Sequence, residues 1–164
     1  MGLKIFLGDI CSLDVDVIVN AANTSLSPGG GVCGAIFAAA ASSELANECR
    51  KLAPIKTGEA VMTGGYNLKA RHIIHAAGPI YRGGNFNEEK LLYDAYKNSL
   101  KLAKENNLKS IAFPLISSGI YGYPIKDASI VALRSIKGFL RDNDMDVTIA
   151  VLDQNLVDIL KAHV

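Results

Sequence analysis

A chain of 164 residues, 49% apolar and 20% charged with no low-complexity tract, is long enough to bury one core and too apolar to stay disordered. Its 17 basic and 16 acidic side chains leave a net charge of +1, which supplies no field for a phosphate backbone and disfavours nucleic acid as a partner. Three cysteines, Cys11, Cys33 and Cys49, form no CxxC pair and leave one over, against both a zinc knuckle and a disulfide framework.

The start, Met1-Gly2-Leu3-Lys4, shows no basic n-region, apolar h-region or small-residue cleavage site, and no stretch is apolar for the ~20 residues of a membrane span. A cytoplasmic, reducing setting and no membrane partner are the expectation. In chain order, Lys4 to Leu7 predicts an amphipathic strand and Val15 to Val19 a buried one. The spacing from Gly34 to Lys51 predicts one helix, and Ala60 to Gly65 and Ile73 to Ala76 two more strands. A loop at Arg82 to Asn87 leads into a helix over Leu91 to Glu105. The strand Ile111 to Leu115, the helix Lys126 to Asn143, the strand Val147 to Leu152 and a short helix from Leu156 to Ala162 complete an α/β alternation with six strands. No repeat and no linker divides it, so residues 1–164 read as a single domain.

In an open α/β sheet the loops at the carboxyl ends of strands converge on one crevice. After Val15 to Val19 come Asn20-Ala21-Ala22-Asn23 and then Gly29-Gly30-Gly31-Val32-Cys33-Gly34, running straight into an Ala-rich helix. Three glycines at a helix N-terminus suit a phosphate, because the backbone can approach closely and the first-turn N–H groups point outward; they equally suit a loop that needs positive φ. After Ile111 to Leu115 comes Ile116-Ser117-Ser118-Gly119-Ile120-Tyr121-Gly122-Tyr123-Pro124. Ser117 and Ser118 offer hydroxyls there and Tyr121 a ring to cover a sugar, although a plain turn whose aromatics fill the core has the same composition. Two such loops in one crevice favour an anion. Neither carries Gly-Lys-Ser/Thr, and the spacing is not GxGxxG, so nucleotide hydrolysis by a P-loop and hydride transfer lack their signatures.

Gly8-Asp9-Ile10, Val17 to Asn23, the Gly29 to Gly34 loop, Thr57-Gly58, Ile74-His75 and Ile116 to Pro124, in that order through nearly the whole chain, resemble the macro domain family. The likeness is nearest to its MacroD-type and O-acetyl-ADP-ribose deacetylase branch. That resemblance implies a three-layer α/β/α fold with a mixed, roughly six-stranded sheet and a cleft for ADP-ribose. It further implies an activity on O-acetyl-ADP-ribose or mono-ADP-ribosylated protein; a monomer is the default, no cofactor is expected, and no His, Cys and carboxylate set has metal spacing.

By the same resemblance Asp9 accepts from the adenine amino group with Ile10 beside it, Ala22 and Asn23 meet the distal ribose, and Asn20 fixes the loop backbone. Gly29, Gly30, Gly31, Val32 and Cys33 supply the first diphosphate loop, and Ser117, Ser118, Gly119, Ile120 and Tyr121 the second. Leu152 stands where relatives place a ring against adenine.

This chain departs from the branch pattern Gly-Val-Asp-Gly-Ala-Ile-His in reading Gly31-Val32-Cys33-Gly34-Ala35-Ile36-Phe37. Asn23 and Cys33 are the candidate catalytic residues. A thiol of ordinary pKa holds a water poorly compared with an aspartate, whereas a helix N-terminus can turn it into a thiolate nucleophile. The alternative is a module that binds ADP-ribose and leaves it intact, with Cys33 and Phe37 removing the polar pair. His75 reads as a packed strand histidine within reach of the cleft, His72 and His163 as surface residues, and Tyr93 and Tyr96 as packing on an amphipathic helix.

Overall fold

A computed structural model describes residues 2–164; Met1, with which the expected domain begins, lies outside the described residues. Six strands form one sheet in the order β1 (Gly2–Leu7), β6 (Asp146–Val151), β5 (Ser110–Phe113), β2 (Val17–Ala22), β4 (His72–Ala77), β3 (Ala60–Gly64). Neighbours pair in parallel except for β3, which runs antiparallel to β4 at the edge. The sheet is mixed and six-stranded, as expected.

Helices cover both faces, and the period of two along each strand decides which side chain meets which layer. Val17 and Val19 enter a core with Leu92, Tyr96 and Leu100 of α3 (Glu88–Glu105), Ile136 of α4 (Ile125–Leu140) and Leu160 of α5 (Gln154–His163). Ile18, between them, enters the opposite core with Ile36 of α1 (Gly31–Ala40) and Leu45 of α2 (Ser43–Leu52). Continuous β-branched runs follow from this burial on both sides.

The single helix expected from Gly34 to Lys51 is two helices. Ala41 adopts the left-handed conformation (φ 46°) and donates its N–H to the Phe37 carbonyl, closing α1. Ser42 then caps α2 by accepting the Glu44 N–H at 3.2 Å on Oγ. A serine two residues before a glutamate is a start signal inside an otherwise periodic run, and periodicity alone passes over it.

β2 is also displaced from the expected Val15 to Val19. It continues through Asn20, Ala21 and Ala22 because each pairs in register with His75, Ala76 and Ala77 of β4. At its other end Asp16 stops the strand, its carboxylate accepting the Lys109 N–H at 2.7 Å and pairing with Arg71 at 2.6 Å. Thus Asp16 ties the entrances of β2, β4 and β5 together, far from their carboxyl ends. β5 stops at Phe113 and β6 at Val151, so Leu115 and Leu152 lie in the loops beyond.

Candidate functional site: a cleft across the strand ends

The carboxyl ends of β1, β2, β4, β5 and β6 all open on the same edge of the sheet, and a cleft of about 420 Å³ lies across them. Of the sequence-derived candidates, Asp9, Ile10, Ala22, Asn23, Gly29 to Cys33, Ser117 to Tyr121 and Leu152 line it. Asn20 does not. As a β2 residue it turns onto the α1–α2 face, is 1% exposed, and donates from Nδ2 to His75 Nδ1 at 3.0 Å. Its expected role in the loop is corrected to one in the sheet.

One wall is the N-terminus of α1. Gly30 is its N-cap and makes no side-chain capping bond, so the N–H groups of Gly31, Val32 and Cys33 lack partners within the helix and carry the positive end of its dipole. Gly31 sits at φ 58°, a conformation that favours glycine. Gly34 is required for a different reason: a Cβ built there would lie 2.6 Å from the Gly29 carbonyl oxygen, so the loop can return over the helix start only because Gly34 has no side chain.

Asn23 stands at the foot of this loop and organises it. Its Oδ1 accepts from Ser27 N at 3.0 Å and Ser25 Oγ at 2.9 Å, while Nδ2 donates to the Ser27 carbonyl at 3.0 Å. Both oxygen lone pairs are thereby used, and the second Nδ2 hydrogen remains for a ligand. Of the donor and the acceptor that an amide offers, the structure leaves Asn23 the donor. Cys33, 5% exposed, rests its Sγ 3.8 Å from the same Ser27 carbonyl. Phe37, one turn on, does not line the cleft and packs at 6.3 Å between ring centroids from His75.

The other wall is the β5–α4 loop. Ser117 lines the cleft at φ 67° and is 6% exposed, and its hydroxyl is buried beneath that wall with no partner. A buried, unpaired hydroxyl is costly unless something meets it. Ser118 differs from expectation: its hydroxyl donates to the Leu115 carbonyl at 2.7 Å, so it serves the turn. At the opposite end of the cleft, Asp9 Oδ1 accepts the Cys11 N–H at 2.9 Å and caps a 3-10 turn, and the carboxylate also bonds the Cys11 thiol. Leu152 is 76% exposed on this rim and Ile120 is 82% exposed on the loop wall. A Cβ on Gly30 would come within 3.1 Å of Ile120 Cδ1, so the two walls nearly touch above the cleft floor.

Sequence reasoning missed Gly78 and Tyr96. Gly78 follows β4 and lines the cleft; it was open to the same strand-end rule that selected the other two loops. Tyr96 is fully buried, accepts the Ile116 N–H at 2.9 Å and donates to the Pro114 carbonyl at 3.2 Å. Burial pushes its pKa up, so it remains a neutral phenol able to do both. It fixes the chain where β5 becomes the loop. Tyr96→Phe should therefore loosen this wall of the cleft and cost about 1–3 kcal/mol of stability, since two buried backbone groups lose their partner. Urea unfolding of the variant checks the loss.

Beneath β2 a polar ladder crosses the sheet. Asn20 Nδ2 donates to His75 Nδ1, which places the ring proton on Nε2, 2.9 Å from Thr63 Oγ1 and 3.9 Å from Cys49 Sγ. Burial lowers the His75 pKa from 6.5 to about 4, outweighing the opposing pull of Glu48. Between those pH values the unfolded chain takes up a proton that the folded chain refuses. Stability is thus complete above pH 6.5, falls as the pH drops toward 4, and by then has lost on the order of 3 kcal/mol from this group. Urea unfolding at pH 7 and pH 4.5 should show that loss in the wild type and a smaller one in His75→Asn.

Among the described residues, no group of three or more His, Cys, Asp and Glu side chains is arranged to hold a metal, and no helix is long and apolar enough to cross a membrane. All three cysteines are free. Fold and cleft together define an α/β domain whose strand-end crevice is lined by the uncapped N-terminus of α1, the β5–α4 loop and Asp9. A family model described as Macro domain matches residues 19–132, more than half of the chain, which therefore belongs to the macro domain family.

Relatives sharpen the placement. The chain is 51% identical over 142 residues to an O-acetyl-ADP-ribose deacetylase of Escherichia fergusonii, a match covering 84% of this chain and 80% of that protein. It is also 51% identical over 146 residues to the ADP-ribose glycohydrolase MACROD2 of Homo sapiens, covering 88% of this chain but 34% of that longer protein. A variant of the Oceanobacillus iheyensis macrodomain solved with ADPR superposes with a TM-score of 0.94 at 41% identity, covering 98% of this chain and 90% of that one.

Proposed function

We propose that this macro domain binds ADP-ribose in the strand-end cleft and hydrolyses the bond by which an acetyl ester or a protein side chain is attached to its distal ribose. The observation that carries the reading is the uncapped α1 N-terminus, which lines one cleft together with the Ser117–Tyr121 loop. A diphosphate seated there would be held by main-chain N–H groups, consistent with the absence of Lys and Arg from both loops. On this reading the Asp9 carboxylate accepts from an adenine amino group, and the second Asn23 Nδ2 hydrogen is donated to a ribose hydroxyl.

Water would attack the acetyl carbonyl, the C–O bond to the ribose would break, and acetate and ADP-ribose would leave. Holding the ester against fixed N–H donors lowers the barrier through positioning and electrostatic stabilisation, without a carboxylate at position 33. We place the activity in a single-domain monomer in a reducing, cytoplasmic setting, in keeping with three free cysteines.

A second reading is favoured by Cys33, whose thiol sits against the Ser27 carbonyl and supplies no evident base. On that reading the chain recognises ADP-ribose on a mono-ADP-ribosylated protein and leaves it in place. Release of ADP-ribose from O-acetyl-ADP-ribose, followed over time for wild type, Cys33→Asp and a no-protein blank, separates the two. Wild-type turnover above the blank establishes the hydrolase; turnover by Cys33→Asp alone establishes a binding module on a hydrolase scaffold.

A further inference from the structure

Glu88, the first residue of α3, is 1% exposed and lies outside the cleft lining. Its carboxylate gathers three backbone donors of the preceding loop: Arg82 N at 2.8 Å, Gly84 N at 3.0 Å and Phe86 N at 2.6 Å. Three charge-assisted bonds on one buried carboxylate are more than a helix start requires. Although burial opposes ionisation, those N–H groups hold its pKa down at about 2, so it is charged at any working pH.

The loop shaped in this way closes on Tyr81. A Cβ on Gly84 would lie 3.1 Å from the Tyr81 hydroxyl, and the Tyr81 ring stands 4.8 Å between centroids from Tyr123. Tyr81 is therefore clamped between Gly84 and Tyr123. Its own N–H donates to the Tyr121 carbonyl at 2.9 Å, and Tyr121 lines the cleft.

We propose that Glu88 is a positioning residue for the ligand: by fixing the Arg82–Phe86 loop against Tyr81 it sets the Tyr121 end of the second anion loop, and so governs affinity for the diphosphate. The inference rests on the ADP-ribose reading above. Glu88 touches neither the adenine end at Asp9 nor the first loop, so its effect is confined to ligands that carry the diphosphate.

The test is calorimetric titration of wild type, Glu88→Gln and Tyr81→Leu with ADP-ribose and with adenosine. Glutamine keeps the shape, but its amide hydrogens face backbone donors; Tyr81→Leu keeps Glu88 and its three bonds and removes the ring that transmits them. Both variants should lose about tenfold or more in ADP-ribose affinity while adenosine affinity stays within about twofold. Glu88→Asp, reaching fewer of the three donors, should fall between Glu88→Gln and wild type. Should Glu88→Gln fold poorly, Tyr81→Leu decides. Unchanged ADP-ribose affinity, or a parallel loss for both ligands, overturns the inference alone. No ADP-ribose binding by the wild type overturns the functional reading, and the inference with it.

Discussion

Gly34→Ala should lose ADP-ribose affinity by about 5- to 150-fold, the range that overpacking of about 1–3 kcal/mol implies if the strain falls on the loop. The added methyl would sit 2.6 Å from the Gly29 carbonyl oxygen, a distance at which one of the two must move. α1 is held by Ile36 and Ala40 in the core, both fully buried, so the movable partner is the loop. Displacing Gly29 shifts the neighbouring Gly30 N-cap and the direction in which the first-turn N–H groups point. Helix propensity works the other way, because alanine favours α1 by about 1 kcal/mol over glycine. Thermal stability should accordingly change little while binding collapses; calorimetric titration alongside a melting curve checks the pair.

Gly78→Ala is expected to produce a loss of similar size from the opposite wall, accompanied by lower stability. Its Cβ would fall 2.4 Å from Ser117 Oγ and 2.5 Å from Ile116 Cγ2. Neither neighbour can yield freely. Ile116 is 1% exposed with its N–H fixed by Tyr96, and Ser117 is 6% exposed in a left-handed conformation that admits few alternatives. Driving them apart displaces the Ser117–Tyr121 loop that forms this wall of the cleft. ADP-ribose titration and urea unfolding should both respond, in contrast to Gly34→Ala, where only the first does.

Much of this architecture was legible in the chain because burial on both sheet faces writes continuous apolar runs, such as Val17 to Val19 and Ile111 to Phe113, between amphipathic segments. The two loops that wall the cleft were legible because each follows such a run. Element ends were harder to read, since a long-range partner sets them: Asn20 to Ala22 look like loop until β4 is placed beside them. The split of α1 from α2 depends on a left-handed alanine that no side-chain pattern announces.

Within the site, residue type indicated which positions line the cleft, but not which of their atoms are already hydrogen-bonded. The Asn23 acceptor is consumed by Ser25 and Ser27, the Ser118 hydroxyl is turned onto Leu115, and the Ser117 hydroxyl, of the same chemistry, is left unpaired. Tyr96 and Glu88 lie further from view, because each acts on backbone atoms of another segment: the helix pattern shows Tyr96 only as packing, and the helix expected from Leu91 leaves out Glu88, where α3 begins.

Calorimetric titration of the wild-type chain with ADP-ribose tests the central claim most directly, with Gly34→Ala and Gly78→Ala run beside it. Saturable one-to-one binding that weakens in both variants is the expected result. Absence of heat from the wild type at millimolar ligand, or equal affinity in all three proteins, would contradict a diphosphate held between these two loops.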